Sequence, residues 1–131
     1  MNTILVEVSV GELLDKISIL EIKKEKIKDS EKLKFINDEY EVLKDQLDKN
    51  VKSDEKIDKL FQSLKEINAK LWIIEDDKRL CEKNSDFSEK FIKLSRDVHF
   101  LNDDRGKIKL EINQILKSDI REIKEYVDYE N

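Results

Sequence analysis

The sequence has no proline, and only two glycines, Gly11 and Gly106, in 131 residues. Nothing in it forces frequent turns or breaks a helix from within. One cysteine, Cys81, cannot build a disulfide framework, and a reducing, cytoplasmic setting is expected. One histidine, His99, leaves no Cys/His set for zinc. No apolar run is long enough to span a bilayer, so no membrane partner is expected. Residues 1–8 lack the basic start and long apolar stretch of a signal peptide. There is no excess of basic charge: 26 Lys and Arg face 31 Asp and Glu, for a net charge of −5. Generic nucleic-acid binding needs a basic surface, so no nucleic-acid partner is expected either.

What is present is charge and periodicity. Charged residues are 44% and hydrophobic residues 38% of the chain. The apolar residues recur at helical spacing, which argues against disorder. A single all-α domain over residues 1–131 is expected, an elongated bundle of long antiparallel helices with a short extended N-terminal segment. Thr3-Ile4-Leu5-Val6-Glu7-Val8 has β-propensity but is too short to stand alone, and is expected to pack on the helices or pair with another strand.

Ser9-Val10-Gly11-Glu12 is a capping-box pattern, opening a helix over about 10–28. Its apolar residues cover most of the circumference, which predicts a central helix. Ser30 is the expected cap of a second helix over about 31–49. Leu33, Ile36, Tyr40, Leu43 and Leu47 form its narrow seam. The third helix is expected over about 54–83 with the seam Ile57, Leu60, Leu64, Ile67, Leu71 and Ile74. Ser85 or Asp86 is the expected cap of a fourth helix over about 87–116, antiparallel to the third. Gly106 lies inside it, as a point of close approach or a kink. Ser118-Asp119 is expected to cap a last short helix docked by Ile120, Ile123 and Val127.

The fourth helix carries the functional clue. Phe87, Phe91, Leu94, Val98, Asn102, Arg105, Lys109, Ile112 and Leu116 fall on one stripe. Its ends are apolar and its middle is an amide and two cations, which cost several kcal/mol each if buried unpaired, on the order expected for desolvated charge. On the first helix Glu21 is an acid on the stripe of Val10, Leu14 and Ile17. Two readings follow. Glu21 and Arg105 form a buried ion pair setting helix register. Alternatively Glu21, Asn102, Arg105 and Lys109 form a ligand site whose amide and cations face an anionic small molecule.

Glu12 and Asp15 form an E-x-x-D pair, the arrangement with which helical nucleotide hydrolases hold Mg²⁺ over a triphosphate. Acids are 31 of 131 residues, so such pairs also arise by chance, and no matching second pair is present. No cofactor is therefore expected, with Mg²⁺ on Glu12 and Asp15 the alternative. His99 lies off the stripe and reads as surface, Cys81 as a small core residue, and Trp72 as a core aromatic.

Taken together, Val8-Ser9-Val10-Gly11-Glu12-Leu13-Leu14-Asp15-Lys16 with Ile19-Leu20-Glu21-Ile22-Lys23, then Leu71-Trp72 with Ile74-Glu75-Asp76, then Phe91-Ile92 with Leu94, then Asn102-Asp103, Arg105, Lys109, Glu111, Ile112 and Asn113, then Ile123-Lys124 with Tyr126, resemble an uncharacterised family of small helical bacterial and phage proteins, a domain of unknown function. Leu110-Glu111 and Lys117-Ser118 depart from its Arg-Glu and Gly-Ser. The resemblance implies no activity. It implies only that Glu12, Asp15, Lys16, Glu21, Lys23, Asn102, Asp103, Arg105 and Lys109 belong to a recurring polar set.

The function expected is a binding or interaction module, its interhelical polar cluster taking a small anionic ligand or fixing assembly. The narrow seams and the all-round apolar first helix predict a homodimer. The alternatives are a metal-assisted nucleotide or phosphate-ester hydrolase, and a purely structural coiled-coil partner.

Overall fold

The computed structural model describes residues 2–117. They form four helices: α1 (Val10–Lys26), α2 (Ser30–Asn50), α3 (Glu55–Lys83) and α4 (Glu89–Ile115). The expected last helix, with Tyr126 and Tyr129, lies outside the described residues. None of the described helices is long and apolar enough to cross a membrane.

Three of the four helices start where a short polar side chain satisfies an orphan backbone N–H. The Ser9 hydroxyl accepts from Glu12 N, the Asp29 carboxylate from Lys32 N and the Asp54 carboxylate from Ile57 N. Two expected caps are corrected. Asp29 caps α2 in place of Ser30, which becomes the first helical residue. Ser88 stands at the N-cap of α4, and Phe87 precedes that helix. Asp86 serves the turn instead, its carboxylate accepting from Ser88 N at 3.1 Å.

α3 ends in a Schellman turn. Asp86 N donates to Cys81 O at 2.8 Å and Ser85 N to Glu82 O at 3.1 Å. The turn puts Ser85 in the left-handed region, with φ of 53°. It folds α4 back along α3 as the expected antiparallel hairpin. α1 lies on that hairpin, touching both helices, and α2 packs on α1, with Leu47 reaching the core it shares with α3.

α1 is therefore the central helix, as its apolar circumference predicts. Leu14, Ile17, Leu20 and Ile22 are all buried. Leu14 joins Ile57, Leu64 and Ile112 in the core, with Leu47, Phe61 and Ile115 packed around them. Each such Leu or Ile contributes about 1.5–3 kcal/mol when fully buried. α2 has no fully buried residue, and its seam is half-buried.

The N-terminal segment departs from expectation. Residues 2–8 form no strand, and Ile4, Leu5 and Val6 are 84%, 91% and 73% exposed. A strand needs a neighbour to satisfy its backbone, and the described residues contain none.

Candidate functional site

On α1, Gly11, Asp15 and Ser18 share one stripe, and all three are buried. Their small size lets α1 sink onto the hairpin. Gly11 N donates to Asn113 Oδ1 at 2.7 Å. A Cβ at Gly11 would lie 2.5 Å from the Lys109 backbone oxygen and 2.9 Å from Asn113 Oδ1. The close approach anticipated at Gly106 is thus found at Gly11.

That approach lowers Asp15 into a set of donors from α3 and α4. Asp15 is 1% exposed. Its Oδ1 accepts from Arg105 Nε at 2.9 Å and Asn68 Nδ2 at 2.8 Å. Its Oδ2 accepts from Arg105 Nη2, which makes the pair bidentate, and lies 3.5 Å from Lys109 Nζ. Asn68 Nδ2 also donates to Ser18 Oγ at 2.8 Å, and that hydroxyl donates to the Asp15 carbonyl at 2.7 Å. Lys109 Nζ donates to Glu12 at 2.6 Å. The capping box at Ser9 is therefore half formed, because the Glu12 carboxylate goes to Lys109.

Two carboxylates and two cations balance. Burial alone would raise the Asp15 carboxyl. The hydrogen bonds from Arg105 and Asn68, with the charges of Arg105 and Lys109, outweigh it and hold the group below its ordinary 3.8. The network has a dry end and a wet edge. The Asp15 and Lys109 side chains are 1% and 5% exposed, those of Arg105 and Glu12 26% and 31%. At the wet edge Arg105 Nη1 reaches Asn102 Oδ1 at 3.4 Å.

Asn102, Arg105 and Lys109 are thus brought together, and Glu21 is not with them. Glu21 accepts from Lys65 at 3.1 Å and from the Tyr40 hydroxyl at 3.5 Å. The expected Glu21–Arg105 pair is corrected to Asp15–Arg105. Six residues separate the two acids on α1, about 9 Å along the axis and about 120° around it, so they face different neighbours. The Glu21 group has its own electrostatics. A hydrogen bond to Glu25, then one to Glu21 and the charges of both acids, raise the Lys65 ammonium against the opposing effect of burial. Burial and the Glu21 charge raise the Tyr40 hydroxyl.

Three members of the network went unnoticed in the sequence as site residues: Ser18, Asn68 and Asn113. Asn68 sits four residues after Leu64 and three before Leu71, an amide in an apolar seam. Asn113 is 1% exposed, and its Nδ2 has no hydrogen-bond partner among the described residues. His99 is exposed and Cys81 buried with a free thiol.

The Mg²⁺ alternative does not fit these side chains. Glu12 and Asp15 converge on the Lys109 ammonium, at 2.6 and 3.5 Å, and Arg105 takes the rest of Asp15, so protein cations already hold the place between the two acids. Among the described residues no group of three or more His, Cys, Asp or Glu could hold a metal ion.

Helices locked by a buried, charge-balanced network define a small all-α bundle with a polar interhelical core. The chain belongs to the family of unknown function DUF6165, whose model matches residues 4–129. This is the family membership that the motifs led us to expect, and no activity comes with it. Nothing matches the chain among the curated proteins or the solved structures.

Proposed function

We propose that the protein is an interaction module, working as a homodimer, in which the Asp15 network fixes the assembly of α1 on the α3–α4 hairpin. One observation carries this reading: the charges at the dry end are paired inside the chain, between α1 and α4, with the Asn68 amide of α3 bonded to the same carboxylate. Such a network sets register and rigidity more than it adds stability over an apolar core. The buried, free thiol of Cys81 supports a cytoplasmic setting. Sedimentation at micromolar concentration is expected to give a dimer. A monomer throughout that range sinks the reading.

A second reading is favoured by the accessibility of Arg105. It is the half-buried cation of the network, next to Asn102, so a small anion would approach there and compete with Asp15. A ligand at about a hundredfold excess over Kd raises stability by about 2.7 kcal/mol. A thermal-shift screen of nucleotides, sugar phosphates and dicarboxylates, with and without Mg²⁺, is expected to give a hit that Arg105→Gln abolishes. Stabilisation by Mg²⁺ alone would count for the hydrolase alternative instead.

A further inference from the structure

The face of the α3–α4 hairpin turned away from α1 carries large apolar side chains in the open. Ile73 and Leu80 on α3 are 52% and 55% exposed, and Ile92 and Phe100 on α4 are 54% and 42% exposed. Ile73 and Phe100 line one shallow groove between the helices, and Phe100 and Ile92 line its continuation along α4. Ile73 and Phe100 therefore stand at one level. Leu80 lies about 10.5 Å further along α3, and Ile92 about 12 Å back along α4, at a second shared level. Between the two levels the helices differ in net sign. α3 places Glu75, Asp76 and Asp77 there with Lys78 and Arg79, and α4 places Lys93 and Arg96 with Asp97. Lys93 pairs with Asp97 at 2.7 Å, and the Arg96 guanidinium lies 6.0 Å from the Phe100 ring.

We propose that a second copy of this chain covers this face, hairpin against hairpin, about a two-fold axis running along the helices. This deepens the homodimer reading above and rests on it. The axis lays α3 of one copy over α4 of the other and keeps levels together. Ile73 then meets the partner's Phe100, and Leu80 the partner's Ile92, each contact occurring twice. The result is a four-helix arrangement with every neighbouring pair antiparallel. The same operation puts Arg96 over the partner's Asp77. Two copies of a chain with net charge −5 repel each other overall. They approach best where an acidic helix edge faces a basic one, and this axis provides that twice. Apolar anchors give the contact its affinity, and the opposed charges give its register.

A charge-reversal pair tests it by sedimentation, with circular dichroism confirming that the substitutions, at exposed Arg96 and half-buried Asp77, leave the helices intact. Arg96→Asp and Asp77→Arg, each alone, are expected to weaken self-association by roughly tenfold or more. Mixed together, the two variants are expected to form a heterodimer of about wild-type strength, because each mismatch then finds its opposite. A wild-type dimer indifferent to both reversals, or a mixture that stays unpaired, overturns this surface while the homodimer stands. A wild-type chain that stays monomeric to about 100 µM overturns both. Species that grow beyond a dimer with concentration overturn the two-fold.

Discussion

Asp15→Ala is expected to lower stability by about 3–5 kcal/mol, the range for removing one partner of a buried ion pair. The carboxylate is 1% exposed and receives two hydrogen bonds from Arg105 and one from Asn68. Its loss leaves the buried Lys109 with Glu12 as its remaining counter-charge in the network and withdraws the bidentate partner of Arg105. Urea unfolding reads the loss as a shift in midpoint. Combining Asp15→Ala with Arg105→Ala is expected to cost less than the two separately, because each removes the other's partner. Additive costs would mean the groups do not act as a unit. The same carboxylate fixes a pH dependence. Its folded-state value lies below 3.8. Its contribution is therefore whole above the unfolded value, near 3.9, and is lost as pH falls through the folded one. The difference between wild type and Asp15→Asn is expected to be flat from about pH 7 to 5 and to shrink below about pH 4. A difference unchanged in strong acid would refute the assignment.

Gly11→Ala is expected to destabilise by about 2–3 kcal/mol, taking typical costs for overpacking and one lost hydrogen bond. The sign is the diagnostic. Alanine in place of glycine ordinarily favours a helix by up to about 1 kcal/mol. Here the added carbon would lie 2.5 Å from a backbone oxygen of α4, which moves only if the helix moves. Separating α1 from α4 also stretches the bond from Gly11 N to Asn113 and loosens Asp15 from its donors. A neutral or stabilising Gly11→Ala would show that α1 sits less tightly on α4 than described.

The four helices were legible because apolar residues recur at helical spacing between capping residues, and the seams of α2 and α3 needed no tertiary knowledge. The site was half legible. Asn102, Arg105 and Lys109 stood out because polar groups interrupt an otherwise apolar stripe on α4. Their acid partner did not. α1 is apolar nearly all round, so periodicity could not say which of its faces meets α4, and Glu21 had the better angular credentials. The signal was one of size: Gly11 and Ser18 flank Asp15 on its own stripe, and small residues mark where helices come closest. The N-terminal segment misled because β-propensity describes a half-buried pleated surface, and the described residues hold no second strand to make one.

The distance in sequence between the partners bears on how the chain is made. Asp15 and Arg105 are 90 residues apart, and Gly11 and Asn113 are 102 apart. α1 is synthesised first of the four helices, and its counter-ions come last. Until α4 emerges its acid lacks both cations, and only α2 and then α3 are there to cover its apolar surface. The α3–α4 hairpin, joined by a tight turn, closes from local contacts as soon as α4 emerges. α1 must wait for that platform, so a nascent chain halted before Arg105 cannot neutralise Asp15. Closure of the ion network thus marks the moment at which the last of the four helices has been delivered.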